Sequence, residues 1–140
     1  MPTAKELTIR MEDKPGTLGI CCRALADRQV NILAFEAFQS EGQSLIRMLM
    51  DNPAAAKTAL EANGIYYTEA EVAHVKLAHR PGHLSRAASR LGENHININY
   101  SYCGTEPESN LPLVVFGVND AAKAAALLDR FAKEENTVAA

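Results

Sequence analysis

Asp13-Lys14-Pro15-Gly16-Thr17-Leu18 stands near the start of this chain. Sixty-six residues on stands His79-Arg80-Pro81-Gly82-His83-Leu84, with Pro, Gly and Leu in the same places. Each copy follows an alternating apolar run and opens a helical pattern. Each is followed at the same spacing by Val30-Asn31-Ile32 or Ile96-Asn97-Ile98. A register held across a strand, a loop, a helix and a second strand marks an internal duplication. The 140 residues thus divide into two units, 1–70 and 71–140, with the last strand of the second weak or absent. A lone unit of that size buries only about 60% of its unfolded surface. Each therefore needs cover from the other half or from a second copy of the chain.

Working outward from the two loops, Leu7, Ile9 and Met11 alternate with Glu6, Thr8 and Arg10, the pattern of a half-buried strand. Ala73, Val75 and Leu77 repeat it against His74 and Lys76. Pro15 and Pro81 suit the first turn of a helix, where a missing N–H costs nothing. From the glycines onward the period changes: Leu18, Cys22 and Leu25, and their counterparts Leu84, Ala88 and Leu91, form one helical stripe. These helices are expected to end near 27–29 and 92–94.

A second strand over 31–38 places Ile32, Ala34 and Phe38 on one face and Leu33, Phe35 and Ala37 on the other. With a third strand over 44–50 it is apolar on both sides, which predicts a homodimer or a sheet-to-sheet packing that buries Leu33, Phe35, Ile46 and Met48. Alanine-rich helices follow, the first stopping at Asn63-Gly64. A strand over 65–69 runs into the next repeat, and 134–140 is too polar for more than a short, frayed or absent strand. The order βαββαβ followed by βαββα is α+β and ferredoxin-like: two tandem units with antiparallel sheets and helices on one face.

Formal net charge is −3 with Lys and Arg scattered, so no basic stripe advertises nucleic acid. Three cysteines make no disulfide framework and fit a reducing, cytoplasmic setting. The first residues hold no apolar signal core, and no run reaches membrane-spanning length. No Ser-His-Asp, paired-carboxylate or phosphate-loop signature can be placed, and a non-enzymatic protein without cofactor is expected.

A helix opening at glycine offers free backbone N–H groups and the positive end of its dipole, which together attract an anion. Gly16 and Gly82 let a ligand carboxylate approach the backbone closely. Asn31 and Asn97, expected beside the loops, add donor and acceptor groups.

Asp-Lys-Pro-Gly-Thr-Leu after a strand, then Val-Asn-Ile about fifteen residues on, resembles the ACT domain, a small βαββαβ amino-acid-sensing module. The whole chain is similar to short tandem ACT proteins that carry no attached enzyme. The resemblance implies an amino acid or similar small carboxylate, held by the loop of one unit against the strand of a partner unit. Carried over, the first site comprises Asp13, Lys14, Pro15, Gly16, Thr17 and Leu18 with Asn31 and Ile32. The second comprises Arg80, Pro81, Gly82, His83 and Leu84 with Asn97 and Ile98. It further implies allosteric control of a partner, such as a metabolic enzyme. His79 departs from the family pattern, standing where the first copy has the acidic Asp13. The first loop is therefore expected to hold the zwitterion, and the second to bind weakly or to prefer an anion without an amine.

Two other readings stand beside this one. His74, His79, His83, His95 and Cys103 share one half, and ACT-like regulatory domains of nickel-responsive repressors bind metal through His and Cys. No CxxC or HExxH spacing supports a metal here, and none is assigned. The third reading is an enzyme on a ferredoxin-like scaffold, which a fold alone does not exclude.

Overall fold

A computed structural model of the protein describes residues 3–139, with side chains described for 3–135. It divides into two units, Lys5–Ala70 and Glu71–Ala140 with Met1–Ala4. The first contains β1 (Ala4–Glu12), α1 (Thr17–Ala26), β2 (Ile32–Ser40), β3 (Gln43–Met50) and α2 (Pro53–Ala62). The strand β4 (Tyr67–Lys76) begins there and ends in the second unit, which continues with α3 (His83–Glu93), β5 (Tyr100–Thr105), β6 (Pro112–Gly117) and α4 (Ala121–Ala139). Six strands and four helices, all α+β, are thus present among the described residues.

In the first unit β3 lies between β1 and β2 and is antiparallel to both. In the second, β6 lies between β4 and β5 in the same way. This is the ferredoxin-like arrangement, with both helices of each unit on one face. Leu7, Ile9, Ile46, Met48 and Met50 pack against Cys21, Ala24 and Leu25 of α1 and Ala56, Ala59 and Leu60 of α2. The second core repeats the plan: Ala73, Val75, Val114 and Phe116 meet Ala87 and Leu91 of α3 and Ala124, Leu128 and Phe131 of α4.

Three expectations change. Ile46 and Met48 are fully buried under the helices, so they are not free to meet a partner, whereas Phe35 is 49% exposed. The face assignment in β2 breaks because the register shifts between Ile32 and Ala34. Ile32 pairs with Met50, but Ala34 pairs with Leu49 and Phe35 with Met48, so Ile32 and Ala34 point to opposite faces. A bulge adds an odd residue, and period-2 counting fails across it. Residues 65–69 and 72–77 were expected as two strands and form one, since no Pro or Gly interrupts Thr68 to Lys76. The strand expected to be weak or absent over 134–140 is absent among the described residues, because 134–139 extend α4; Glu134 and Glu135 are held there by Arg90 and Arg86 of α3.

The buried stripes of α1 and α3 are also rotated from the expected ones. Thr17, Cys21, Ala24 and Leu25 face inward, as do His83, Ala87 and Leu91, while Leu84 is 54% exposed. The first helical residue of each, polar in both copies, points into the unit. Equivalent pairs of the two sheets carry their bulk on opposite strands. Ala34 faces Leu49 in the first, and Tyr100 faces Gly117 in the second. A Cβ on Gly117 would fall inside the Tyr100 ring, which covers it.

Candidate ligand loops

The helices begin in two ways. In α2, Asn52 accepts from the Ala55 N–H (3.1 Å) with Pro53 at the start, and in α4, Asp120 accepts from the Lys123 N–H (3.0 Å). These are ordinary side-chain caps, which satisfy one of the orphan donors of a first turn. By contrast, α1 and α3 begin at Gly16 and Gly82, left-handed at φ 92° and 89°, and no side chain caps either. Both first turns keep donors that water or a ligand must satisfy. Only glycine adopts that backbone cheaply.

Around Gly16 the loop is tied down from both ends. The Thr17 hydroxyl, buried, donates to the Glu12 carbonyl at 2.7 Å, and the Thr17 N–H reaches the Lys14 carbonyl at 3.3 Å. The Asp13 carboxylate accepts from Gln39 Nε2 on β2 at 2.7 Å, and Lys14 pairs with Glu12 at 3.5 Å in the open. Leu18 lies against the core. The depression beside Gly16 follows α1 past Arg23 to Asp27 and Asn63.

In the second loop His83 takes the place of Thr17 and is equally buried. Its Nε2 lies 3.2 Å from Arg80 Nη2 and 3.2 Å from Glu135 Oε2, while its Nδ1 is buried without a partner. Arg86 grips the same carboxylate from Nε at 3.0 Å, which, first among several causes, holds the Glu135 carboxyl below the usual range. Two cavities flank His83. One, of about 450 Å3, opens on the loop between Leu77, His79, Arg80, Leu84, Tyr102, Cys103 and Val114. The other, of about 350 Å3, lies toward α4 and includes His74, Lys76, Phe131 and Glu135. Burial, with Lys76 adding, pushes the His74 pKa down.

The structure gathers Asp13, Lys14, Pro15, Gly16, Thr17 and Leu18 at one end of the first unit and Arg80, Pro81, Gly82, His83 and Leu84 at the same end of the second. It does not bring the asparagines to them. Asn31 and Ile32 sit where β2 starts, with the Asn31 N–H on Asp51 Oδ1 at 3.0 Å and Ile32 against Met50. The loop lies past Glu12, which pairs with Gln43 at the other end of β3. The ten residues of α1 separate them, about 15 Å of helix. Asn97 and Ile98 lie likewise at the far end of the second unit: Asn97 Nδ2 donates to Asn99 at 3.1 Å, and Asn99 donates to Asn119 at 3.0 Å. Chain connectivity explains the error, since a helix that returns along the sheet starts the next strand at the opposite end of the strands.

Among the described residues no three or more His, Cys, Asp or Glu side chains come together as a metal site. His95 instead holds the left-handed position (φ 61°) that closes α3, as Gln29 (φ 58°) does for α1. Sequence reading missed Gln39, Arg86 and Glu135. Gln39 was legible as a polar residue at the hairpin end of β2; Glu135 was hidden because its segment was read as strand.

A family model described as an ACT domain pair matches residues 2–136. No curated protein matches the sequence significantly. Among solved structures, a protein from Bacteroides thetaiotaomicron is 24% identical with TM-score 0.80, over 91% of this chain and 88% of that one. The ligand-free regulatory subunit of aspartate kinase from Thermus thermophilus is 18% identical with TM-score 0.63, over 91% of each chain. That from Thermus flavus is 19% identical with TM-score 0.56, again over 91% of each. These likenesses concern the fold, whereas the sequence model covers nearly the whole chain, and on that ground the protein belongs to the family of ACT domain pairs.

Proposed function

We propose that this protein is a non-enzymatic regulatory module that binds an amino acid at its Pro-Gly loops and passes the signal to a partner, such as a metabolic enzyme. One observation carries the reading. Of the four helices, the two that follow the duplicated loops are those whose first turns begin at a left-handed glycine without a side-chain cap. Such a turn stabilises a carboxylate by about 0.3–1 kcal/mol through the dipole, more where partly buried. Asp13 beside the first loop supplies an anionic acceptor for the ammonium, and charge-assisted bonds are roughly twice as strong as neutral ones. The fold shared with regulatory subunits of aspartate kinase supports a regulatory role.

Because Asn31 and Asn97 stand far from the loops of their own units, they complete a site through a second copy of the chain, and the working form is a cytoplasmic homodimer. Units 1–70 and 71–140 each present one loop. Ligand binding orders the loop and biases the interface it touches.

The test is a thermal-shift screen of the common amino acids followed by calorimetry. A ligand at about 100 times its Kd stabilises by about 2.7 kcal/mol. The expected result is a stabilising amino acid whose affinity falls at least tenfold in Asp13→Asn and less in His79→Asn. No shift with any amino acid overturns the reading.

A further inference from the structure

The two loops share a backbone but not a chemistry. Apart from the Tyr102 phenol, every ionisable side chain beside the second loop's cleft is basic or a thiol: His79, Arg80, His83 and Cys103 line it, and no Asp or Glu does among the described residues. Its other walls include Leu77, Leu84, Tyr102 and Val114. Glu135 approaches His83 from the α4 side, but Arg86 grips it there.

The imidazole adds a second pointer. Where Nε2 accepts from Arg80, the ring proton sits on Nδ1; where the neutral ring donates from Nε2 to Glu135, Nδ1 is a bare acceptor. In the tautomer that accepts from Arg80, a side chain only 5% exposed holds an N–H without an acceptor. Buried donors are ordinarily satisfied. For that tautomer, an acceptor in the cleft that His83 lines answers the N–H.

We infer that this cleft takes a small apolar monocarboxylate carrying no ammonium group, the 2-oxo acid of an apolar amino acid being the form that fits best. The carboxylate lies on the uncapped first turn of α3, where Gly82 leaves the backbone open. The adjacent oxo group is a second acceptor in the same plane, matched to the fork of the Arg80 guanidinium. The hydrocarbon tail rests on Leu77, Leu84, Tyr102 and Val114, and the cleft's volume of about 450 Å3 leaves room for it. An ammonium group would enter a site with no anionic acceptor and three basic neighbours. An unanswered charge is one of the ways in which a site rejects the wrong ligand.

This inference rests on the reading that the Pro-Gly loops bind carboxylates, and the experiment separates the two. Calorimetry on the full chain compares three acids that differ only at C2: 4-methyl-2-oxopentanoate, 4-methylpentanoate and leucine. It is repeated with phenylpyruvate, 3-phenylpropanoate and phenylalanine. In at least one series the oxo acid is expected to bind at least tenfold more tightly to the cleft than its amino acid. That binding is lost at least tenfold in Arg80→Gln and in Leu84→Asp, and is unchanged in Asp13→Asn. Leu84 is 54% exposed, so its substitution leaves the fold, checked by melting temperature, intact. Equal affinity for the oxo acid and the plain acid keeps the carboxylate and removes the oxo contact. The inference is overturned if neither series of acids binds, if Arg80→Gln and Leu84→Asp leave their affinity unchanged, or if those variants weaken an amino acid instead. Acids that bind where no amino acid does would leave the inference standing and remove the amino-acid reading.

Discussion

Replacing Gly16 by Ala asks an L-residue to hold φ 92°. The left-handed region costs such a residue about 1–2 kcal/mol. Nothing lies within 4 Å of the added Cβ, so strain is the whole effect. At Gly82, φ 89°, the strain is the same, but a Cβ would stand 2.8 Å from Arg86 Nη1. That end of the side chain can swing away, at the cost of its half-exposed pair with Glu135, about 0–1 kcal/mol. Unfolding entropy of about 2.1 cal/mol/K per residue gives roughly 0.3 kcal/mol/K for the whole chain. Gly16→Ala should therefore lower Tm by about 3–7 °C, and Gly82→Ala by the same or up to about 3 °C more. Asn, which tolerates the left-handed region, recovers part of the loss at either position, and Val, branched at Cβ, loses more than Ala. Gly16→Val is accordingly a poor probe of binding, because it tests the backbone first. Scanning calorimetry of the Ala, Asn and Val variants is the assay. A Gly16→Ala protein melting within 1 °C of the parent, or an Asn variant no better than Ala, would refute the reasoning.

The His74 ring titrates below its ordinary value of 6.5 because burial disfavours its charged form. The unfolded chain takes up that proton first, so the contribution is complete above about pH 6.5 and is lost as pH falls toward the folded pKa. The depressed carboxyls of Glu69, Glu134 and Glu135 act at lower pH, below their ordinary 4.5. Hence His74→Gln should flatten the fall in Tm between pH 7.5 and 5.5, and an unaltered slope there would sink the claim. Among the thiols, Cys103 is exposed, whereas burial above all raises the Cys21 pKa to about 12. Iodoacetamide at pH 8 should label Cys103 in the native protein and Cys21 only in urea; peptide mapping that finds Cys21 labelled first would show that α1 is packed otherwise.

The duplication made most of the fold legible, because two Pro-Gly steps and the Asn63-Gly64 stop punctuate the chain where backbone geometry demands them. Helix phase was harder. Leu18, Cys22 and Leu25 satisfy a 3.6-residue period as well as Thr17, Cys21 and Leu25 do. What decides between them is the left-handed glycine, which turns the first helical residue inward, and a hydroxyl that bonds Glu12 once there. The loops were readable as a site candidate because their chemistry is local. Their surroundings were not: Gln39 reaches Asp13 across 26 positions and Arg86 reaches Glu135 across 49. A polar segment such as 134–135 carries no apolar period to betray its helix; charge pairs with a distant helix hold it.

Tyr100 opposite Gly117, and Ala34 opposite Leu49, solve one volume problem in opposite senses. The two members of each pair are consequently coupled through the space they share. Bulk cannot be moved from one strand to its neighbour in a single substitution. Adding a side chain at Gly117 first drives it into the aromatic ring, and overpacking of this kind costs about 1–3 kcal/mol. Shrinking Tyr100 first strips the cover from the glycine backbone, which offers no side chain of its own to pack. Either single substitution is therefore expected to destabilise, and an exchange of residues between the repeats at these positions is expected to cost least when both members travel together.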